Sequence, residues 1–302
     1  MKHARADAAS VPLPVAGRSM ISGDYIALTK PRLNGLVVAT SAVGYYLGAP
    51  GRPDLLSMAL VAMGTTLVAG SAAVLNQVYE RDTDAMMNRT RLRPLPDGRV
   101  SPGDATIFGV ALSACGLAIL AAHATLVTTV LALATLAIYL LIYTPMKRRT
   151  PHATLVGAVP GALPPLIGWT ASHDGVSTGG LALFAIVFLW QIPHFMAIAW
   201  MYRDDYRKAG FPMLSVIDPS GRRAGRQAVA YAMALVPASV TPTIVGMTGA
   251  AYATVTLVLG VALLALAARF FAAPSDRSAR WLFVGSIAYL PLSWIAMVAD
   301  RL

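Results

Sequence analysis

Residues 126–142 read LVTTVLALATLAIYLLI and residues 181–190 read LALFAIVFLW, and neither run contains a charged side chain. A helix needs roughly 20 apolar residues to cross the hydrocarbon core of a bilayer. Similar apolar runs recur along the chain, whose 302 residues are 56% hydrophobic and only 13% charged. This composition excludes an ordinary soluble domain. The sequence therefore predicts an all-α integral membrane protein.

The apolar runs divide into about nine transmembrane helices of the required length. We place them near residues 33–49, 55–78, 104–122, 125–143, 153–170, 179–201, 227–247, 249–271 and 281–299. Lysine and arginine are concentrated in alternate loops, and the other loops contain only Arg52 and Arg301. Because cytoplasmic loops carry the excess of basic residues, the pattern predicts a cytoplasmic N-terminus and a C-terminus outside. Topology thus accounts for the net charge of +10, and we expect no nucleic-acid partner.

The chain is expected to form a single transmembrane domain over residues 23–302, after a disordered tail over residues 1–22. The tail lacks the apolar core of a secretory signal. We expect the bacterial inner (cytoplasmic) membrane. The mitochondrial inner membrane is the alternative, because the tail contains arginine and alanine. The single cysteine, Cys115, lies inside a predicted span, so no intrachain disulfide can form.

The strongest constellation of polar residues lies at the end of the second predicted span. Asn76, Glu80 and Asp84 are spaced four residues apart, which places them on one face of a helix. Successive members rise by about 6 Å, and oxygen ligands at this spacing suit Mg²⁺ ions that bridge a diphosphate. The alternative is that the acids solvate the helix end and pair with nearby arginines. Asp82 points to the opposite side, where pairing is the favoured role.

Basic side chains follow these acids along the chain. Arg89 and Arg93 lie in an arginine-rich loop that ends in a Pro-x-Pro-Asp-Gly turn, and guanidinium groups suit bidentate binding of phosphate. Lys147, after the fourth predicted span, is a further candidate for contact with phosphate. The alternative explanation for each of these basic residues is that it only reflects the general excess of lysine and arginine in cytoplasmic loops. Lys30, before the first span, is interpreted as a membrane anchor.

A second long loop on the same side also follows a polar helix end. Pro193 is expected to kink its helix and free a backbone carbonyl. His194 lies beside it within a span, where polar residues usually face a cavity or a partner. A buried structural role and a contact with substrate both fit His194. The adjacent acids Asp204 and Asp205 begin the loop.

In this arrangement the chain resembles the UbiA-type intramembrane prenyltransferases. Residues 76–84 are similar to the Asn-x-x-x-Asp-x-x-x-Asp motif of that family, with Glu80 in the middle position. The second acidic motif departs from the family pattern, because adjacent Asp204 and Asp205 replace two acids spaced four apart. This departure argues against a symmetric two-metal site. Similarity to the haem O synthase branch of the family rests on residues 76–82, 89–96, 164–169, 193–195 and 205–210.

The resemblance implies a Mg²⁺-dependent reaction in which farnesyl diphosphate alkylates a vinyl group of haem b (protohaem IX). Water adds in the same reaction, and the products are haem o and diphosphate. Farnesyl diphosphate and haem b are then substrates, Mg²⁺ is the cofactor and the lipid bilayer surrounds the protein. A haem A synthase or an oxidase assembly factor is the expected protein partner, since the product serves haem-copper terminal oxidases.

The resemblance also implies roles for individual residues. Binding of Mg²⁺ and diphosphate is assigned to four residues: Asn76, Glu80, Asp84 and Asp205. Arg89, Arg93 and Lys147 are assigned contacts with the phosphate oxygens. His194 is expected to lie near the porphyrin. Ligation of the haem iron is one form that the His194 contact can take. Aromatic faces can stabilise an allylic cation, with packing as the alternative role; the candidates are Tyr139, Tyr143 and Trp190.

Two other functions are kept as alternatives. The first is prenylation of a quinone-precursor ring on the same scaffold, which analysis of the product would distinguish. The second is cation-coupled transport, with the acids at the cytoplasmic mouth. Transporters usually place essential charges near the bilayer midplane, and the middle of the predicted spans is almost free of acids. Transport is therefore the weaker alternative.

Overall fold

The computed structural model describes residues 21–173 and 175–302, and the regular structure within them is helical apart from one isolated β-bridge between Thr248 and Arg301. The helices are α1 (Ile21–Leu28), α2 (Pro31–Gly48), α3 (Leu55–Tyr79), α4 (Arg81–Met86), α5 (Pro102–His123), α6 (Leu126–Ala137), α7 (Thr144–Met146), α8 (Ala153–Ser172), α9 (Thr178–Met201), α10 (Arg203–Lys208), α11 (Leu214–Ile217), α12 (Arg222–Ile244), α13 (Ala250–Ala272) and α14 (Asp276–Ala299). A π-helical segment, Ile138–Tyr143, joins α6 to α7. The predicted tail lies outside the described residues except for its last two positions, which belong to α1.

Each apolar run that we interpreted as a span forms a long helix. Seven helices in the described part of the chain are long and apolar enough to cross a membrane: α3, α5, Leu126–Met146, α9, α12, α13 and α14. The other two, α2 and α8, carry more polar, glycine and proline residues, and they are packed against each other inside the bundle. The all-α membrane class is therefore confirmed, while the number of nine crossings stays a prediction.

Helices α2 and α8 approach so closely that their backbones touch at two glycines. A Cβ atom on Gly44 would lie 2.0 Å from the carbonyl oxygen of Pro165, and a Cβ atom on Gly168 would lie 1.9 Å from that of Ser41. Small residues permit such approach between membrane helices, where association depends on van der Waals packing. This contact packs α8 directly against α2.

Short helices gather at the end of the bundle where α3 and α9 finish. Helix α4 follows α3, whereas α10 and α11 follow α9. The two segments pack together through one buried cluster, which consists of Met87, Tyr206, Ala209, Phe211 and Met213. Apolar contact thus joins the two loops that carry the acidic motifs.

Candidate active site

Asn76, Glu80 and Asp84 lie on one face, as their spacing predicted, although a helix boundary falls between them. The backbone continues with helical spacing across Glu80: the Glu80 N–H donates to the Asn76 carbonyl, and the Asp84 N–H donates to the Glu80 carbonyl, both at 2.8 Å. All three side chains are buried. They line one cavity of about 300 Å³, which we call the polar cavity.

Each acid of this face is paired with a cation from another loop. The Lys147 ammonium donates to Glu80 Oε2 at 2.9 Å, and the Arg93 guanidinium donates to Asp84 Oδ2 at 2.7 Å. Burial alone would lower the pKa of Lys147, but the charge of Glu80 opposes it and the net pKa is raised above the ordinary value. Lys147 therefore stays protonated beside the acid, and Arg93 and Lys147 both line the polar cavity.

Oxygen atoms suited to a hard divalent ion remain available on this face. Glu80 Oε1 is buried and has no hydrogen-bond partner. Asn76 donates its amide N–H to Thr144 Oγ1 at 3.1 Å, and that hydroxyl donates in turn to the Tyr139 carbonyl. The amide orientation that this chain of bonds fixes leaves Asn76 Oδ1 as the free acceptor. These atoms fit Mg²⁺.

The acidic face does not by itself form an all-protein metal cage. Over residues 21–173 and 175–302, no three histidine, cysteine, aspartate or glutamate side chains are close enough together to hold a metal ion. Mg²⁺ usually keeps several waters and shares one or two carboxylates with substrate phosphates. The pair Glu80 and Asp84 with the amide of Asn76 matches that mode of binding.

Lys30 also lines the polar cavity, which corrects its interpretation as a plain anchor. It precedes Pro31, the first residue of α2, and adopts a left-handed backbone conformation with φ of 51°, which is uncommon for a residue other than glycine. Burial, followed by the charges of Arg93 and Lys147, lowers its pKa to about 7. A cavity that already holds this much positive charge favours a multiply charged anion. The Lys30-Pro31 pair at the start of the helix was the sequence feature that could have indicated this position.

Arg89 lies at the exposed rim of the same cavity. Its guanidinium stacks over the ring of Tyr202, with 4.9 Å from Cζ to the ring centroid. The structure thus gathers four cations, Lys30, Arg89, Arg93 and Lys147, around the acidic face.

A second, largely apolar cavity of about 190 Å³ adjoins the polar cavity and shares Lys30, Leu33 and Tyr139 with it. Its other lining residues come from α2, α3, α6 and α8: Asn34, Val37, Ala69, Ala72, Ala73, Thr135, Pro160, Gly161 and Pro164. Tyr139 and Tyr143 line the polar cavity with ring centroids 5.1 Å apart. Charged and apolar compartments therefore meet at an aromatic boundary, which suits an amphiphile with an anionic head.

Comparison with known proteins agrees with this geometry. The sequence profile of the UbiA prenyltransferase family matches residues 37–290. The chain belongs to the UbiA prenyltransferase family. It is 45% identical to a protoheme IX farnesyltransferase of Solibacter usitatus, over 92% of this chain and 98% of that protein. It is 43% identical to a protein of the same name from Anaeromyxobacter dehalogenans, over the whole of both chains.

Solved structures show that the helices follow the fold of this family. A structure of digeranylgeranylglyceryl phosphate synthase superposes with a TM-score of 0.79 at 17% identity, over 93% of this chain and 99% of that one. A UbiA homologue from Archaeoglobus fulgidus, solved with GPP and Mg²⁺ bound, superposes with a TM-score of 0.65 at 17% identity, over 91% and 99%. The predicted UbiA resemblance is thereby confirmed.

The second acidic motif, where this chain departs from the family pattern, occupies a different position from the first. Asp205 is buried and is not among the residues that line the polar cavity. Its two carboxylate oxygens accept the backbone N–H groups of Asn88 and Arg89, each at 3.3 Å. Asp204 is exposed and pairs with Arg207 at 2.6 Å. The structure therefore joins Asp205 to the backbone of the arginine-rich loop; its role in metal binding stays a prediction.

We expect Asp205→Asn to loosen that loop. A hydrogen bond to a charged group contributes about 1.5–3 kcal/mol, so amide hydrogen exchange at Asn88 and Arg89 should become about tenfold faster or more. Exchange is measured by mass spectrometry on peptides that span residues 84–93. Asp204→Asn is the matched control and should leave these amides unchanged. Equal protection in both variants would contradict the contact.

His194, on α9, lines the polar cavity together with the three residues of the acidic face. Its Nδ1 shares a hydrogen bond of 2.8 Å with the hydroxyl of Ser286 in α14. Trp190 does not line the cavity; it packs on His194 and donates its indole N–H to the Ser286 carbonyl. The sequence contained no sign that Ser286 contacts His194, because the two residues are 92 positions apart.

Proposed function

We propose that this protein transfers the farnesyl group of farnesyl diphosphate to a vinyl group of haem b, with addition of water, to give haem o and diphosphate. The observation that carries the proposal is 45% identity, over 92% of this chain, to a protein named protoheme IX farnesyltransferase. The adjoining polar and apolar cavities support it, since farnesyl diphosphate has an anionic head and an apolar tail.

The acidic face would hold Mg²⁺ through Glu80, Asp84 and the amide oxygen of Asn76, with Asp205 assisting by holding the neighbouring loop. When bound, Mg²⁺ neutralises charge on a leaving diphosphate. Arg89, Arg93 and Lys147 contact phosphate oxygens in this proposal, because they surround the same cavity.

Lys30, which lines the same cavity, would add a fourth positive charge. Contact with a bound diphosphate would raise its lowered pKa and restore its charge. The cations then stabilise the negative charge that develops on the leaving group as the carbon–oxygen bond of farnesyl diphosphate breaks.

The walls of the two cavities would control the fate of the farnesyl group. Its tail would occupy the apolar cavity, and the aromatic faces of Tyr139 and Tyr143 would lie near the allylic carbon, where they stabilise positive charge. The terminal vinyl carbon then bonds to that carbon, the adjacent vinyl carbon becomes cationic, and water adds there with release of one proton. Exclusion of bulk water until the vinyl group has reacted prevents simple hydrolysis. His194 lies near the porphyrin in this arrangement.

The same proposal places the protein in a membrane. All nine long helices would cross the bilayer, with the N-terminus in the cytoplasm, the C-terminus outside and the active site at the cytoplasmic helix ends. Residues 23–302 would form a single domain in the bacterial inner membrane. A haem A synthase or an oxidase assembly factor would receive the product.

The test is an assay of products. Purified protein in detergent receives haem b, farnesyl diphosphate and Mg²⁺, and pigments are separated by chromatography and identified by mass. We expect a hydroxyethylfarnesyl haem whose formation stops when Mg²⁺ is chelated. Release of diphosphate without a modified haem would show that the acceptor is wrong. Absence of both products from folded protein would contradict prenyl transfer.

A further inference from the structure

The imidazole of His194 is stacked with two aromatic rings. The Trp190 ring lies 5.1 Å from it with an interplanar angle of 21°, and the Phe283 ring lies 5.0 Å away with an angle of 25°. These stacked contacts restrict rotation of the imidazole, whose two nitrogens lie at the edge of the ring. A polar ring fixed in this way within a helix bundle requires partners for its nitrogens.

Hydrogen bonds at Ser286 determine which nitrogen carries the proton. The Ser286 hydroxyl donates its single hydrogen to the Phe283 carbonyl at 2.6 Å. It must then accept from His194 Nδ1, which lies 2.8 Å away. The indole N–H of Trp190 donates to the Ser286 carbonyl at 2.7 Å and holds the same residue in place. In this network we assign His194 the Nδ1–H tautomer, in which Nε2 presents a lone pair.

His194 also borders the proposed site of reaction. His194 lines the polar cavity together with the acidic face and the cations. Since Nδ1 is bonded to Ser286, Nε2 is the ring nitrogen left to face a bound molecule. A neutral imidazole whose other nitrogen donates to a fixed acceptor is the arrangement found in metal-ligating histidines, in which that donation fixes the ring orientation and raises its basicity.

From this geometry we propose that His194 Nε2 is an axial ligand of the haem iron of the substrate. The inference rests on the proposed function and goes beyond it, because it states which atom binds the acceptor. No covalent change at His194 is involved: the nitrogen lone pair coordinates iron before farnesyl transfer and releases it with the product. Ligation from α9 would hold one porphyrin face against the cavity wall while a vinyl group reaches the farnesyl carbon.

The neighbouring residues explain why His194 is suited to this task. Arg89, Arg93 and Lys147 cannot coordinate iron while protonated, and Lys147 is held by Glu80. Lys30, whose pKa is lowered to about 7, would be protonated in the proposed complex by its contact with bound diphosphate. Met87 and Met213 also line the cavity and are capable of binding haem iron. They are members of the apolar cluster that joins the two loops, and no hydrogen-bond network orients them. His194 is instead fixed in rotation and tautomer, so little ordering is needed when iron binds.

The experiment is a titration of purified protein in detergent with ferric haem b, followed by absorption and electron paramagnetic resonance spectra. We expect native protein to give a histidine-ligated spectrum. His194→Ala should lose that spectrum, raise the Kd for haem by about tenfold or more, and recover the spectrum when imidazole is added. Ser286→Ala should keep ligation but raise the Kd, because the ring loses its acceptor. His152→Ala, at an exposed histidine outside the cavity, should match native protein.

Elution of each variant from a size-exclusion column establishes folding, and His194→Gln is a second variant in case alanine disturbs α9. An unchanged spectrum in folded His194→Ala or His194→Gln would overturn the ligation while leaving the farnesyl transfer intact. A native spectrum without a nitrogen ligand, in protein that still makes haem o, would do the same. Native protein that neither binds haem nor makes haem o would instead contradict the proposed function itself.

Discussion

Glu80→Gln is expected to lower kcat/KM for farnesyl transfer by at least about 100-fold, the scale of losing one group that stabilises transition-state charge. Glu80 is only 3% exposed and its Oε2 accepts from Lys147. Glutamine keeps the shape of the side chain but removes the charge. The buried ammonium then lacks its partner, and the face loses an anionic oxygen that suits Mg²⁺.

The measurement is the rate of product formation over a range of Mg²⁺ concentrations. The variant should need more Mg²⁺ than native protein and should remain slower when Mg²⁺ is in excess. Asp82→Asn is the matched control, because Asp82 is an acid two residues along whose side chain is 82% exposed and pairs with Arg81. It should keep native kinetics. Equal losses in both variants would indicate a general need for negative charge at this helix end.

The acidic face was predictable from the sequence because its geometry is local. Asn76, Glu80 and Asp84 are close in the chain, and helical spacing alone brings them to one side. The long helices were predictable for a similar reason, since each depends on an uninterrupted apolar run. Their ends moved by several residues at α12 and α14, which begin at Arg222 and Asp276 among charged side chains. Helix-forming charged residues continue a helix beyond its apolar part.

Contacts between distant segments were not predictable in the same way. Lys30 enters the cavity because its backbone turns sharply before Pro31, and His194 is oriented by Ser286 on a helix that lies far along the chain. Asp205 was grouped with the metal ligands because it is an acid beside the site. Its hydrogen bonds to the Asn88 and Arg89 amides depend on how two loops pack together. Packing between loops produces no periodic pattern of residues from which it could be predicted.

Gly168→Ala is expected to destabilise the protein more than any change at an exposed position. Its Cβ would lie 1.9 Å from the Ser41 carbonyl oxygen, a backbone atom that cannot rotate away. Helices α2 and α8 must then separate, and overpacking of this kind costs about 1–3 kcal/mol or more. We expect the apparent melting temperature in detergent to fall by about 5–10 °C, measured by the fraction of protein that still elutes as a folded species after heating.

Gly35→Ala is the control for this change, because it makes the same substitution in α2, where a Cβ would meet nothing within 4 Å. Alanine favours a helix over glycine by about 1 kcal/mol, so this variant should melt at or slightly above the native temperature. Gly44→Ala should resemble Gly168→Ala, since its Cβ would lie 2.0 Å from the Pro165 carbonyl oxygen across the same interface. If Gly168→Ala and Gly35→Ala melt alike, α2 and α8 do not pack backbone to backbone. If the melting temperature falls only in Gly168→Ala and Gly44→Ala, close packing of α2 on α8 stabilises the protein. Because α2 and α8 both line the apolar cavity, the same packing then holds the walls of that cavity together.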